Sequence, residues 1–365
     1  MGSAAPAIIS FVATFLVLLP LPWHWRARNI PVASCIIWLA QGNFFRGINA
    51  IIWQGNVVCK FLPYGDIVAQ LQVASVWGMT ASVFCIARHL EAISSPHYST
   101  TGLNNPRNRV IFELWMCVIS PVIFAGLHLI VQEHRFNILE DIGPHVSTHW
   151  SMVAICIYYL PPVILSLGTS YYGAKALWWF FDRRAEMRSP RPYSSASCSL
   201  NLTGSAHPDT YYIRLMGLSA VELLGTLSFN GFVLIANGQE KLWPYLSWNY
   251  VHSDFQQVFQ IPWSTIPSYW VTVYWVSWSL RPTAAILFWA FFGLGEEAMR
   301  EHRRNWDWIR VHILRLEPSV YVPRPPPGLV KSGVFDMEGW PAEGNNGNFA
   351  MLSFLAKWVL YSAFS

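Results

Sequence analysis

Seven stretches of this 365-residue chain are apolar over 18 to 26 residues, with polar or Pro/Gly-rich segments between them. They lie at about 4–21, 30–52, 67–87, 110–131, 152–172, 215–236 and 269–294. A helix rising 1.5 Å per residue needs about 20 residues to cross a ~30 Å hydrocarbon core, so each run is of membrane length. In lipid the backbone must satisfy its own hydrogen bonds, which makes helices the natural form of such runs. The expected fold is therefore an all-α membrane protein, a seven-transmembrane helix bundle. A composition that is 53% hydrophobic and only 12% charged agrees. The first run has no basic segment before it and leads directly into Pro20, Pro22 and a basic loop, so it reads as a retained span rather than a cleaved signal. Pro121, Pro161, Pro162 and Pro282 fall inside runs. Each removes a helical donor, and the freed carbonyl needs a partner from a neighbouring helix or a polar side chain.

Basic residues set the expected orientation. Of the 24 Lys and Arg, nineteen fall in the loops on one side and in the C-terminal tail, three (Lys60, Arg135, Lys241) on the other, and Arg46 and Arg281 within runs. The positive-inside bias places the N-terminus outside and the C-terminus in the cytosol. The expected organisation is a helical domain over 1–295 and a cytosolic tail over 296–365 with an amphipathic start, 296–316, suited to the inner leaflet. The last apolar stretch, 349–364, contains Lys357 and reads as interfacial rather than as an eighth crossing. Residues 188–209 are rich in Ser and Pro and read as a disordered cytosolic loop. On this topology Cys59 alone among the six cysteines faces outside, so no extracellular disulfide within the chain is expected.

Several polar residues interrupt the runs. Asn43, Arg46, Asn49 and Trp53 fall within about a 120° arc of the second run, a stripe expected to face protein or a water-filled cavity. The alternative is that Arg46 snorkels to the nearer interface. Arg281 lies near the middle of the seventh run, immediately before Pro282. Its depth calls for a partner, and Glu222 of the sixth run, about 10 Å deep by helix rise, is the expected one. His145 and His149 have metal-ligand spacing, but no third ligand accompanies them, and they read as polar residues at a helix entrance. No P-loop, nucleophile elbow or zincin pattern is present, so no enzyme and no cofactor is expected. A small-solute transporter is the alternative class. The sparse intramembrane charges, the lack of an internal repeat and an odd number of crossings weigh against it.

Five segments carry a family resemblance, and they occur in order on consistent sides. Leu21–Asn56 contains FFRGINAIIW; Ile130–Gly143 reads IVQEHRFNILEDIG; Tyr211–Leu227 reads YYIRLMGLSAVELLGTL; Pro244–Pro262 reads PYLSWNYVHSDFQQVFQIP; and Phe291–Ala298 reads FFGLGEEA. Together they resemble the fungal a-factor-type (lipopeptide) pheromone receptors, seven-helix receptors coupled to heterotrimeric G proteins. The resemblance implies a farnesylated, methyl-esterified peptide as ligand, a G-protein α subunit and membrane lipid as partners, a plasma-membrane location, and no nucleic acid. In such a receptor the expected ligand contacts are Asn43, Arg46, Asn49, Trp53 and Phe136, and the pair that helix depth suggests between Glu222 and Arg281 is expected to act as a resting-state switch, with a purely structural pairing as the alternative. The basic helix ends at Arg88, Arg183, Arg184 and Arg214 are then the expected G-protein contacts. An orphan receptor-like protein without a mating role is the alternative within the family. Two departures stand out. Tyr64-Gly65-Asp66-Ile67 replaces the family's usual Trp-Cys-Asp-Ile, and Pro144 stands where a Cys usually follows. If those cysteines pair in relatives, this chain has lost both halves together. The expected outer loops carry Asp66, Glu133, Glu140, Asp141, Glu240 and Asp254 against three basic residues, which would steer a peptide bearing positive charge.

Overall fold

The computed structural model describes residues 4–95, 106–188 and 242–293, together with the single positions 217, 303, 304, 306, 310 and 311. The chain divides into two units, Met1–Trp306 and Asp307–Ser365. In the second, Arg310 and Val311 are described, and both are helical. The first unit is mostly helical. Helix α1 is Ala5–Leu18, α2 Leu21–Arg26, α3 Ile30–Ile52 and α4 Leu62–Ser94. Helix α5, Pro106–Leu114, passes through a π-helical turn, Trp115–Ile119, into α6, Ser120–His128. A short α7, Met152–Ala154, continues through a second π turn, Ile155–Tyr159, into α8, Leu160–Arg188. Helix α9 is Trp248–Val251 and α10 is Ser268–Gly293.

Six of the seven expected runs therefore fall on described helices, and the one at 215–236 lies outside the described residues apart from Gly217. Among the described residues, four helical stretches are long and apolar enough to cross a membrane: Ala5–Arg26, Leu62–Ser94, Arg107–Val131 and Met152–Trp179. Helices α3 and α10 are of similar length but carry more polar side chains. The third and fifth helices overrun their apolar runs. Helix α4 starts early, with Pro63 in its first turn where the missing N–H costs nothing. Helix α8 continues to Arg188 because no glycine or proline follows Gly173 until Pro190.

At two of the prolines inside the runs, Pro121 and Pro282, a side chain takes the carbonyl that the proline frees. Pro121 cannot donate to Cys117, four residues back. Trp38 Nε1 donates to that carbonyl instead, at 3.0 Å, and the helix relaxes through the π turn just before the proline. Pro282 likewise frees the carbonyl of Trp278, and the guanidinium of Arg46 donates to it.

The bundle core joins Val17 of α1, Ile36 and Leu39 of α3, Ile86 and Leu90 of α4 and Phe288 of α10, all essentially inaccessible. Large apolar side chains such as Ile8, Phe15, Ile37, Val122, Ile164 and Leu167 remain exposed, as the outer surface of a helix bundle in lipid requires. One end of the helices carries a three-stranded sheet, a departure from the all-α expectation. Strands β1 (Phe136–Leu139), β2 (Gly143–His145) and β3 (Val258–Ile261) lie in the order β2-β1-β3. The β1–β2 hairpin pairs Ile138 with Pro144 and Leu139 with Gly143. Strand β3 joins β1 in parallel, Phe136 opposite Val258 and Leu139 opposite Ile261, so two loops more than 100 residues apart form one layer. The turn needs positive φ at Asp141 (59°) and Gly143 (83°). At Gly143 a Cβ would come within 2.7 Å of the Trp53 ring, so glycine is required twice over.

Candidate ligand-binding site beneath the sheet

The polar stripe of α3 divides into two sets of contacts. Toward the middle of the bundle, Asn43 and Arg46 meet α10. Asn43 is fully buried; its Nδ2 donates to Leu39 O at 2.9 Å and to Arg281 O at 3.4 Å. Arg46, held by the Trp278 carbonyl, and Arg281 are each half-buried. Arg281 Nη2 donates to Gln72 O of α4 at 3.4 Å. Its Nη1 lies 2.6 Å from where a Cβ on Gly42 would sit, so the guanidinium packs on α3 because that position has no side chain. Nearer the sheet, Asn49 and Trp53 belong to the sheet's footing. Asn49 Oδ1 accepts from Tyr64 Oη at 2.7 Å. Trp53 stacks on Tyr64 and donates from Nε1 to Val58 O at 3.0 Å. Phe136 is buried in the same cluster with Ala69 and Ile138, its ring against Gly65.

Thus Asn43, Arg46 and Arg281 come together, and Asn49, Trp53 and Phe136 form a separate set that seats β1 on α3 and α4. Glu222 and Arg214 lie outside the described residues. Arg88, toward the far end of α4, places its guanidinium 4.2 Å from the Phe112 ring centroid. Arg183 and Arg184 lie in the last two turns of α8. Near Arg88, Lys175 and Glu91 form an ion pair at 3.2 Å that joins α8 to α4, and Arg109 pairs with Glu113 at 3.6 Å.

Residues that the sequence reading did not assign to this site complete its walls. His145 of β2 is half-buried and lies close enough to the arginines to feel both charges. Its Nδ1 donates to Val146 O at 3.0 Å, and its ring meets Tyr274 of α10 edge-on, 5.6 Å between centroids. Burial is the main cause that pushes its pKa down to about 4, and the charges of both Arg46 and Arg281 act in the same direction. The ring is therefore neutral over the ordinary pH range. Tyr158, in the second π turn, is also within reach of the Arg281 charge. A proline directly after an intramembrane arginine was the sequence signal for the Arg46 acceptor. The tyrosines and His145 had no such signal, since the loop and helices that bring them together are distant in sequence.

The sheet closes over this site through polar ties. Arg135 and Asp66 form a two-point ion pair, its Nε–Oδ1 arm 3.0 Å, between the loop and α4. Gln72 Nε2 donates to Pro144 O at 2.8 Å. Asp141 accepts from Gly55 N at 2.8 Å, and its own N–H donates to Trp53 O at 3.0 Å. Glu140 accepts from Trp263 N at 2.9 Å, tying in the segment that leads to α10. Three of the acidic residues expected to steer a ligand are thus engaged in holding the sheet. Cys59 is a free thiol, and no disulfide occurs among the described residues. At the two positions where cysteine was expected by resemblance, Gly65 gives room to Phe136 and Pro144 lends its carbonyl to Gln72.

The sequence profile of the STE3, pheromone A receptor, family matches residues 5–312. The pheromone B beta 1 receptor of Schizophyllum commune is 33% identical over 87% of this chain and 57% of its own length. Pheromone receptor 1 of Mycosarcoma maydis is 29% identical over 85% of both chains, and the pheromone M-factor receptor of Schizosaccharomyces pombe 23% identical over 66% of this chain and 63% of its own. Against several of its curated relatives the chain spans only about half their length. With the match running through every described helix of the first unit, the chain belongs to the pheromone A receptor family, whose members are membrane receptors and not enzymes.

Proposed function

We propose that this protein is a G-protein-coupled receptor for a farnesylated mating-pheromone peptide, activating a heterotrimeric G protein in fungal mating from the plasma membrane. The observation that carries the reading is the family match over 5–312, which includes the sheet-forming loops as well as the helices. In this reading seven helices cross the membrane, the sixth near 215–236, with the N-terminus and the sheet outside and the tail in the cytosol. The nineteen-to-three asymmetry of basic residues supports that orientation. The ligand contacts Asn43, Arg46, Asn49, Trp53 and Phe136, the first two directly and the last three through the footing of the sheet. Glu222 and Arg281 hold the resting packing. Arg88, Arg183, Arg184 and Arg214 meet the G-protein α subunit, and the agonist works by shifting the population between two packings. The sheet across one end favours entry of a prenyl chain between helices from the outer leaflet.

The test is nucleotide exchange on a fungal Gα subunit in membranes containing the full chain, with a panel of farnesylated peptides and their unprenylated counterparts. Exchange driven by a prenylated peptide alone is the expected result. No exchange across a broad panel, with surface-expressed receptor and competent Gα, overturns it.

A further inference from the structure

The two loops that build the sheet differ in charge. The stretch that makes β1 and β2 carries Glu133, Arg135, Glu140 and Asp141, whereas 242–253, reading LWPYLSWNYVHS, holds no Asp, Glu, Lys or Arg. That uncharged segment keeps large apolar side chains on the surface: Trp243 is 60% exposed, Leu246 69% and Trp248 54%. One exposed apolar residue is ordinary on any protein, but three within six residues, with no charge among them, form a patch that calls for an occupant. Hydrogen bonds fix its height on the bundle. Trp243 N donates to Trp150 O at 2.9 Å. Tyr245 Oη donates to Ile130 O at 3.2 Å, and His252 Nε2 donates to Leu129 O at 2.9 Å. Leu129 and Ile130 end the membrane-length stretch Arg107–Val131, and Trp150 stands two residues before Met152–Trp179. Those two stretches are neighbours, joined by ring contacts of Phe124 and His128 with Tyr158. The segment therefore bridges two spans at the level where their apolar surface ends. Just inside that level Leu127, Leu129 and Met152 are exposed, so the lipid-facing flank of the spans runs on into the patch.

We infer that 242–250 is an interfacial anchor that lies in the leaflet on the sheet side, with Trp243, Leu246 and Trp248 at the glycerol and upper acyl level of phospholipid. The chemistry suits that depth. An indole has an apolar body and a single N–H, which matches the boundary between headgroups and chains. The absence of charge means that no ionised group has to leave water. Lipid is the occupant, rather than a second protein chain, because the patch continues a surface that already faces lipid. The inference needs the chain to be a membrane protein; it depends neither on the ligand nor on which side of the membrane the sheet faces. The same segment passes through the buried Val251 and reaches β3 seven residues later. The leaflet thus holds one edge of the sheet that closes the bundle.

The first test places a fluorophore in the patch. The full chain, with Cys59, Cys156 and Cys198 replaced by Ser, carries Leu246→Cys labelled with bimane and is reconstituted in phosphatidylcholine nanodiscs. Quenching is compared for phosphatidylcholine bearing a nitroxide high on its acyl chain and for iodide in the water. Loss of most of the signal to the nitroxide lipid, with little loss to iodide, is the expected result. Quenching by iodide alone puts the segment in water, and protection from both quenchers puts it under protein, as in a contact between two copies. Either outcome overturns the anchor. The second test reads the hold on the sheet by amide exchange in the same nanodiscs. Leu246→Glu is expected to speed exchange at 242–251 and 258–261 by about threefold or more, with Leu246→Phe matching the parent and α3 unchanged in both. Equal exchange in all three proteins overturns it. Neither test reads signalling, so a failure here leaves the receptor reading standing, and an inactive receptor leaves the anchor standing.

Discussion

At the scale of single residues, the arginines of the interior depend on what their neighbours lack. Arg281 occupies the space of a missing side chain at Gly42, and Arg46 fills a bond that Pro282 cannot make. Gly42→Ala should therefore lower the thermal midpoint, because the new methyl meets the guanidinium at 2.6 Å. The size is about 1–2 kcal/mol, outweighing the usual gain of about 1 kcal/mol when alanine replaces a helical glycine. Gly126→Ala is the matched control, since nothing lies within 4 Å of its added carbon. It should be neutral or stabilising. His145 gives a pH signature. Its folded-state value is near 4, whereas the unfolded chain takes up this proton near the ordinary value of about 6.5. The neutral ring's contribution is thus complete above about 6.5 and is lost as the pH falls toward 4. His145→Asn should flatten part of the fall in thermal midpoint between about pH 6.5 and 4.5, measured by unfolding scans across that range. The sequence marked Asn43, Arg46, Asn49 and Trp53 as one stripe because helical periodicity gives a face. It gives no depth, and the structure assigns the inner pair to α10 and the outer pair to the sheet.

Elements show the same division between local and non-local information. Helix α3 runs over Ile30–Ile52, the bounds its apolar run sets, and α10 differs from its run by one residue at each end. Length and apolarity are local, so they were legible. The sheet was not, because strands of three or four residues carry too little alternation to register, and the parallel β1–β3 pairing joins segments far apart. That pairing should be separable from the hairpin. Phe259→Pro removes a donor from the side of β3 that faces β1, the side on which Ile261 O accepts from Glu140 N, and should speed amide exchange in β1, at residues 136–139, while leaving that of α3 unchanged. Asp66→Asn should also loosen the hairpin, by about 0.5–1 kcal/mol for a partly exposed pair, and raise exchange through residues 135–145. If neither variant changes exchange in β1, the sheet is not held by these ties.

For the molecule as a whole, the sheet is held to the helices by non-covalent ties, with no disulfide among the described residues. Three ion or charge-assisted contacts and a strand pairing join the loops to α3, α4 and the approach to α10. Such a closure yields by degrees and without a reductant. Cys59, a free thiol beside this region, provides the topological test. In intact cells a membrane-impermeant maleimide should label it without prior reduction, and Cys59→Ala should abolish that labelling. Labelling that appears only after permeabilisation would reverse the proposed orientation of the whole chain.

The proline-freed carbonyl of Trp278 also has a genetic meaning. With Pro282 in place, Arg46 completes the hydrogen bonding of α10, so replacing Arg46 by leucine strands an acceptor. Replacing Pro282 by alanine lets the helix reclaim that acceptor and strands the arginine. Each change alone should reduce stability, and the two together should restore much of it, a coupling of about 1 kcal/mol or more in a double-mutant cycle. Sequences descended from this one are then free to hold both residues or neither, and the intermediates carrying one alone are the steps that selection would remove.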